Sequence, residues 1–181
     1  PEAIMRKFGL IGFPLTHSFS KKYFTSKFEK EGILDCQYDL YEIPDISLFP
    51  KILSENPELE GVNVTIPYKE KVIPFLDEMD PACKEIGAVN CIQIKEGKLK
   101  GFNTDYIGFR QSLEGFLGSS KPKALVLGTG GASKAVVQAL ADMGIDFLMV
   151  SRNITENPAW ITYHDLNSNP SILESHQLII N

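Results

Sequence analysis

The stretch Lys123-Ala124-Leu125-Val126-Leu127-Gly128-Thr129-Gly130-Gly131-Ala132-Ser133 decides the fold. Lys123 to Leu127 is the apolar core of a buried strand. Gly128-Thr129-Gly130-Gly131 is a tight turn. An Ala-rich helix follows over 132–143 and stops at Gly144, and Asp146 to Val150 makes a second, parallel strand. This is one β-α-β unit of about 30 residues.

The turn fits G-x-G-x-x-[small], with Ser133 where Gly or Ala is usual. Such a string is weak alone, but here it closes an apolar strand and opens a helix, the context it requires. Glycines permit the turn and let backbone approach a pyrophosphate, and the helix N-terminus offers N–H groups. Gly128, Thr129, Gly130, Gly131 and Ala132 are therefore candidate nucleotide contacts. The second strand ends in Ser151-Arg152-Asn153, without the acid that binds a ribose 2′-hydroxyl in NAD sites. Arg152 can pair with a 2′-phosphate instead, which favours NADP. The alternative is a solvated loop arginine.

Upstream, Lys7 to Gly12 is an apolar strand closed by Gly12 and Pro14. Residues 18–31 carry Phe19, Tyr23, Phe24 and Phe28 at helical spacing, with Gly32 as the stop. Tyr38 to Ile43 is a second strand, and a short helix fits 45–55. Gly61 to Ile66 is a third strand, stopped by Pro67. Two helical stretches are expected to fill 68–86. Val89 to Ile94 is a strand before a Glu96-Gly97 hairpin turn. Residues 1–101 thus read as an α/β domain with crossover connections. Residues 102–181 read as a Rossmann-type nucleotide domain, entered by a linking helix near 104–117 and reaching a further strand over Gln177–Asn181. A cleft between the two domains is the expected ligand site.

The bulk numbers agree with an ordinary globular chain. It has 181 residues, 43% hydrophobic and 23% charged, enough to bury a core without disulfides. The net charge of −5, with no basic block, argues against nucleic acid. No apolar run approaches a membrane span and no signal peptide is visible. Cys36, Cys83 and Cys91 are odd in number and lack C-x-x-C spacing. They read as reduced, mostly buried thiols in a cytoplasmic protein rather than metal ligands. Pro1–Ile4 precede Met5, which is one candidate start. Oligomeric state is not legible.

Polar residues gather at strand ends and turns: Ser18-Phe19-Ser20, Asn63-Val64-Thr65-Ile66-Pro67-Tyr68-Lys69, Gly87-Ala88-Val89-Asn90 and Asn103-Thr104-Asp105. Open α/β sheets bind ligands at such places. Each also has a structural reading. Ser18 or Ser20 can cap a helix. Asn63 and Thr65 alternate as on any half-solvated strand. Asn90 can satisfy a loop backbone. Thr104 and Asp105 can open a helix.

In combination, and with the glycine turn downstream, these strings resemble the shikimate dehydrogenase family from Phe8 to Asn181. The resemblance implies reversible NADPH-linked reduction of 3-dehydroshikimate to shikimate, in the biosynthesis of chorismate and the aromatic amino acids. It implies that Ser18 and Ser20 bind the substrate carboxylate, although the family often has Ser-Lys-Ser there. It further implies that Asn63, Thr65, Asn90 and Asp105 hold ring hydroxyls. Lys69 would be catalytic, with Asp105 as its partner. A lysine ammonium suits a ketone oxygen that gains charge and needs a proton. Family members are longer, so the resemblance also implies a missing C-terminal part, including a substrate-contacting Gln. Two rivals share the motifs: a quinate/shikimate dehydrogenase, and a non-catalytic sensor on the same fold. Lys69 and Asp105 together favour the enzyme.

Overall fold

The computed structural model describes residues 5–153 and 156–181. Pro1–Ile4 therefore lie outside the described residues. The chain divides into two units, Pro1–Asn103 and Thr104–Asn181.

The first unit contains β1 (Arg6–Gly12), α1 (Ser20–Glu31), β2 (Cys36–Glu42), α2 (Phe49–Glu55), β3 (Leu59–Val64), β4 (Glu78–Met79), α3 (Pro81–Ile86), β5 (Cys91–Lys95) and β6 (Lys98–Phe102). They form one sheet in the order β2-β1-β3-β5-β6-β4. β1 pairs in parallel with both β2 and β3, while β5 runs antiparallel to β3 and β6. The sheet is therefore mixed, with β5 as the reversed strand. Gly32 ends α1 in the left-handed conformation at φ 67°, which glycine adopts without steric cost.

Two departures from the sequence reading stand out in 64–91. β3 ends at Val64, not Ile66, and β5 begins at Cys91, not Val89. Residues 68–86 do not hold two helices. They hold a 3-10 turn at Ile73–Phe75, the two-residue strand β4, and only α3 as an α-helix. Pro67, Pro74 and Pro81 punctuate this segment, and a proline inside a helix removes a donor and clashes with the preceding turn. α3 accepts its proline because Pro81 occupies the first turn behind the Asp80 cap.

One sheet face carries the main core, with Ile11, Phe49, Val62, Val64, Val72 and Ile92 buried together. Full burial of a side chain such as Phe49 contributes about 1.5–3 kcal/mol. Leu10, Leu15 and Tyr38 form a second cluster with Phe24 and Phe28 of α1. Beside that cluster lies an open cavity of about 1130 Å³ lined by Phe8, Phe28, Tyr38, Asn63 and Cys91, among others.

The second unit contains α4 (Thr104–Leu117), β7 (Ala124–Leu127), α5 (Gly131–Asp142), β8 (Phe147–Ser151), β9 (Trp160–Thr162), α6 (Tyr163–Ser168), α7 (Pro170–Ser175) and β10 (Leu178–Ile180). Its sheet is parallel throughout, in the order β10-β7-β8-β9. β7 is central because its run Ala124-Leu125-Val126 is buried on both faces, the signature of a parallel strand. Tyr106 of α4 donates to Asp142 of α5 at 2.5 Å and ties the two helices together.

Among the described residues, no helix is long and apolar enough to cross a membrane. Among them, too, no group of three or more His, Cys, Asp or Glu residues is placed to hold a metal ion. The three cysteines are free thiols.

Candidate functional site

In the first unit, the carboxyl ends of β1 and β3, the amino end of β5 and the carboxyl end of β6 share one sheet edge. Backbone bonds join the loops there. Phe13 N–H donates to the Ile66 carbonyl at 3.0 Å, and Val64 N–H to the Asn90 carbonyl at 2.9 Å. Asn90 N–H donates to the Phe102 carbonyl at 3.1 Å, and Val89 N–H to that of Lys69 at 2.7 Å. Because β5 is reversed, Asn90 enters at its start yet meets the end of β3. The edge lies where the chain crosses from β1 to neighbours on both sides, the switch point at which open α/β sheets bind ligands.

Ser18 and Ser20 flank the start of α1. Ser20 N–H donates to Ser18 Oγ at 3.3 Å. Between them the Phe19 side chain is 82% exposed, so it packs little. Tyr38 is buried and stacks on Phe24 at 4.5 Å. Its hydroxyl donates to Asn63 Oδ1 at 2.8 Å. Burial pushes its ionisation up to about 12. Asn63 Nδ2 then reaches the Asn90 carbonyl at 3.5 Å. Tyr38, a residue that sequence reasoning placed in a strand without a role, is thus linked through Asn63 to Asn90. Nothing in its local sequence signals the link, which crosses from β2 over β1 to β3.

Thr65 follows β3, and its N–H donates to the Ile11 carbonyl at 3.0 Å. Its side chain passes where a Cβ on Gly12 would sit, 2.5 Å from Thr65 Cγ2; glycine is required at position 12 for that approach. Tyr68 anchors the next turn, its hydroxyl donating to the Ile43 carbonyl at 2.6 Å. Lys69 comes directly after this anchor and is half-buried. Asn90 and Asn103 are buried polar residues. Asn103 Nδ2 donates to the Ala88 carbonyl at 2.9 Å, and Cys83 Sγ donates to the same oxygen at 3.3 Å. Burial pushes the Cys83 thiol up to about 11, so it stays protonated as that donor.

Asp105 belongs to the second unit, in the first turn of α4, and is half-buried. A carboxylate there is favoured by the helix dipole.

The glycine turn lies at the carboxyl end of β7, again the switch point of its sheet. Gly128 has φ 106°, a conformation costly for other residues. A Cβ on Gly130 would meet nothing within 4 Å, so the space before α5 is open. α5 starts at Gly131 with no side-chain cap on its N-terminus. Ala132 lies in its first turn, and Ser133 turns its hydroxyl inward onto the Gly130 carbonyl at 2.6 Å. An open glycine turn before an uncapped helix N-terminus is an arrangement that can receive a phosphate group. At the end of β8, buried Ser151 accepts from Asn153 N–H at 3.1 Å, while Arg152 and Asn153 are exposed. The residues present fit a dinucleotide.

The model of the shikimate dehydrogenase substrate binding domain matches residues 10–92. A curated protein of Aquifex aeolicus, shikimate dehydrogenase (NADP(+)), is 36% identical over 179 residues, covering 96% of this chain and 66% of that protein. The crystal structure of shikimate dehydrogenase from Thermotoga maritima superposes with a TM-score of 0.77 at 31% identity. That match covers 96% of this chain and 67% of the Thermotoga chain. The Thermus thermophilus shikimate 5-dehydrogenase, solved in complex with NADP(H) and shikimate, gives a TM-score of 0.72 at 31% identity. It covers 98% of this chain and 63% of its own. The chain spans from about half to about two thirds of the curated relatives it matches. With two α/β units in this order, and relatives of this likeness, the chain belongs to the shikimate dehydrogenase family.

Proposed function

We propose that the protein reversibly reduces 3-dehydroshikimate to shikimate with NADPH, a step of aromatic amino acid biosynthesis. One observation carries the reading: the family likeness extends to a Thermus relative solved with both NADP(H) and shikimate. The polar edge of the first unit supports it, since it gathers neutral hydroxyl and amide groups suited to a polyol ring. Such groups give directional bonds and reject analogues that lack a partner.

The first unit binds substrate. Ser18 and Ser20 hold the carboxylate, and Asn63, Thr65 and Asn90 hold ring hydroxyls. Lys69 gives its ammonium proton to the ketone oxygen as charge develops there, and in the reverse direction takes it back. Asp105 is the second catalytic residue, a carboxylate that accepts from a ring hydroxyl. The second unit binds the cofactor. Gly128, Thr129, Gly130, Gly131 and Ala132 receive the pyrophosphate. Ser151, Arg152 and Asn153 receive the 2′-phosphate, with Arg152 supplying the charge. Bound NADPH supplies the hydride. The free thiols fit a cytoplasmic setting.

The test is NADPH oxidation with 3-dehydroshikimate, followed by absorbance. Activity that appears with dehydroshikimate and not with dehydroquinate supports the assignment. Preference for the quinate pair assigns the rival activity, and absence of turnover with intact binding of both ligands favours a sensor.

A further inference from the structure

Tyr38 presents a buried phenol proton that must find an acceptor, because an unmet hydroxyl in the interior costs free energy. Asn63 Oδ1 is that acceptor, at 2.8 Å. A side-chain amide has one acceptor oxygen and two N–H donors, and its orientation follows from the network around it. Turning the Asn63 amide over would set its NH₂ on the phenol oxygen and leave the Tyr38 proton without Asn63 Oδ1 as its acceptor. It would also set its oxygen against the Asn90 carbonyl, which Nδ2 now faces at 3.5 Å. The second change is repulsive, and the first takes from the buried phenol proton its acceptor at Asn63, so the observed orientation is favoured.

We propose that Tyr38 is a positioning residue that locks the Asn63 amide with its oxygen inward, so that Asn63 meets a ring hydroxyl only as a donor. This rests on the substrate reading above and deepens it. The ring hydroxyl at Asn63 accepts there and directs its own proton elsewhere. Tyr38 therefore acts on the hydroxyl end of the site, through Asn63.

Tyr38→Phe removes the hydroxyl and keeps the ring stacked on Phe24. In ligand-free protein, the Asn63 side-chain amide signals in a ¹⁵N–¹H correlation spectrum shift and broaden in the variant. Shikimate binding by calorimetry weakens about tenfold, the loss of one buried hydrogen bond, and NADPH binding is unchanged. Tyr38→Phe added to Asn63→Ala weakens binding no further. Unaltered Asn63 signals, or additive losses in the double variant, overturn the proposal. Failure of the unsubstituted protein to bind shikimate would count against the substrate reading, while the Asn63 signals would still decide the role of Tyr38.

Discussion

Asn103 and Ala88 are joined by a side-chain-to-backbone hydrogen bond of 2.9 Å between two buried residues. The bond reaches from the end of β6 to the loop that carries Asn90. Asn103→Ala leaves the Ala88 carbonyl with only the weak Cys83 thiol as donor. The expected loss is about 1–3 kcal/mol of stability, measured by urea unfolding. Shikimate binding should fall with it, because Asn90 is held by the same loop. A change below about 0.5 kcal/mol would show that the bond carries no strain-bearing role.

Lys69→Ala should lower turnover by about 10²- to 10⁴-fold, the usual worth of a positioned proton donor. NADPH affinity should hold, since the nucleotide cradle belongs to the other unit. Single-turnover kinetics with saturating cofactor separate the two effects. Turnover that survives the substitution would assign the proton to another group.

Gly130→Ala should fold normally. The backbone there, φ −75° and ψ 177°, suits alanine, and the added methyl meets no protein atom within 4 Å. Stability should stay within about 1 kcal/mol. NADPH binding should weaken at least about tenfold, because the methyl occupies the approach of the pyrophosphate. Equal affinity in fluorescence titrations would remove the turn from the cofactor site.

Arg152→Ala should cut kcat/KM for NADPH by about 10- to 100-fold, as expected for losing a charged hydrogen bond to phosphate. The value for NADH should barely move. Parallel losses for both cofactors would mean that Arg152 acts on stability or on a part the two share.

The second unit was the more legible in sequence. Leu125 and Val126 are apolar on both faces, and Gly128 and Gly144 punctuate at the right places, so local signals and tertiary structure agree. Residues 68–86 were misread for the opposite reason. Ile73, Phe75 and Leu76 sit at spacings a helix would use, yet β4 exists only because Glu78 and Met79 find Lys100 and Gly101 beside them. A two-residue strand is decided by its partner, some twenty residues away in sequence, and no local window contains that partner. β9, α6 and α7 went unread within a polar stretch that offered little periodicity. In the site, the residue types and their strand ends were readable. The Tyr38–Asn63–Asn90 chain was not, because a hydroxyl in a strand says nothing about which neighbour it will face.

The reversal of β5 has a practical side. A five-residue strand spans about 17 Å, with Asn90 at its entrance and the Glu96-Gly97 turn at its exit. Both turn residues have positive φ, at 52° and 75°, and a Cβ on Gly97 would meet open space. The hairpin tip is thus a natural attachment point, a strand's length from Asn90, where a fluorophore or tether can report on ligand binding.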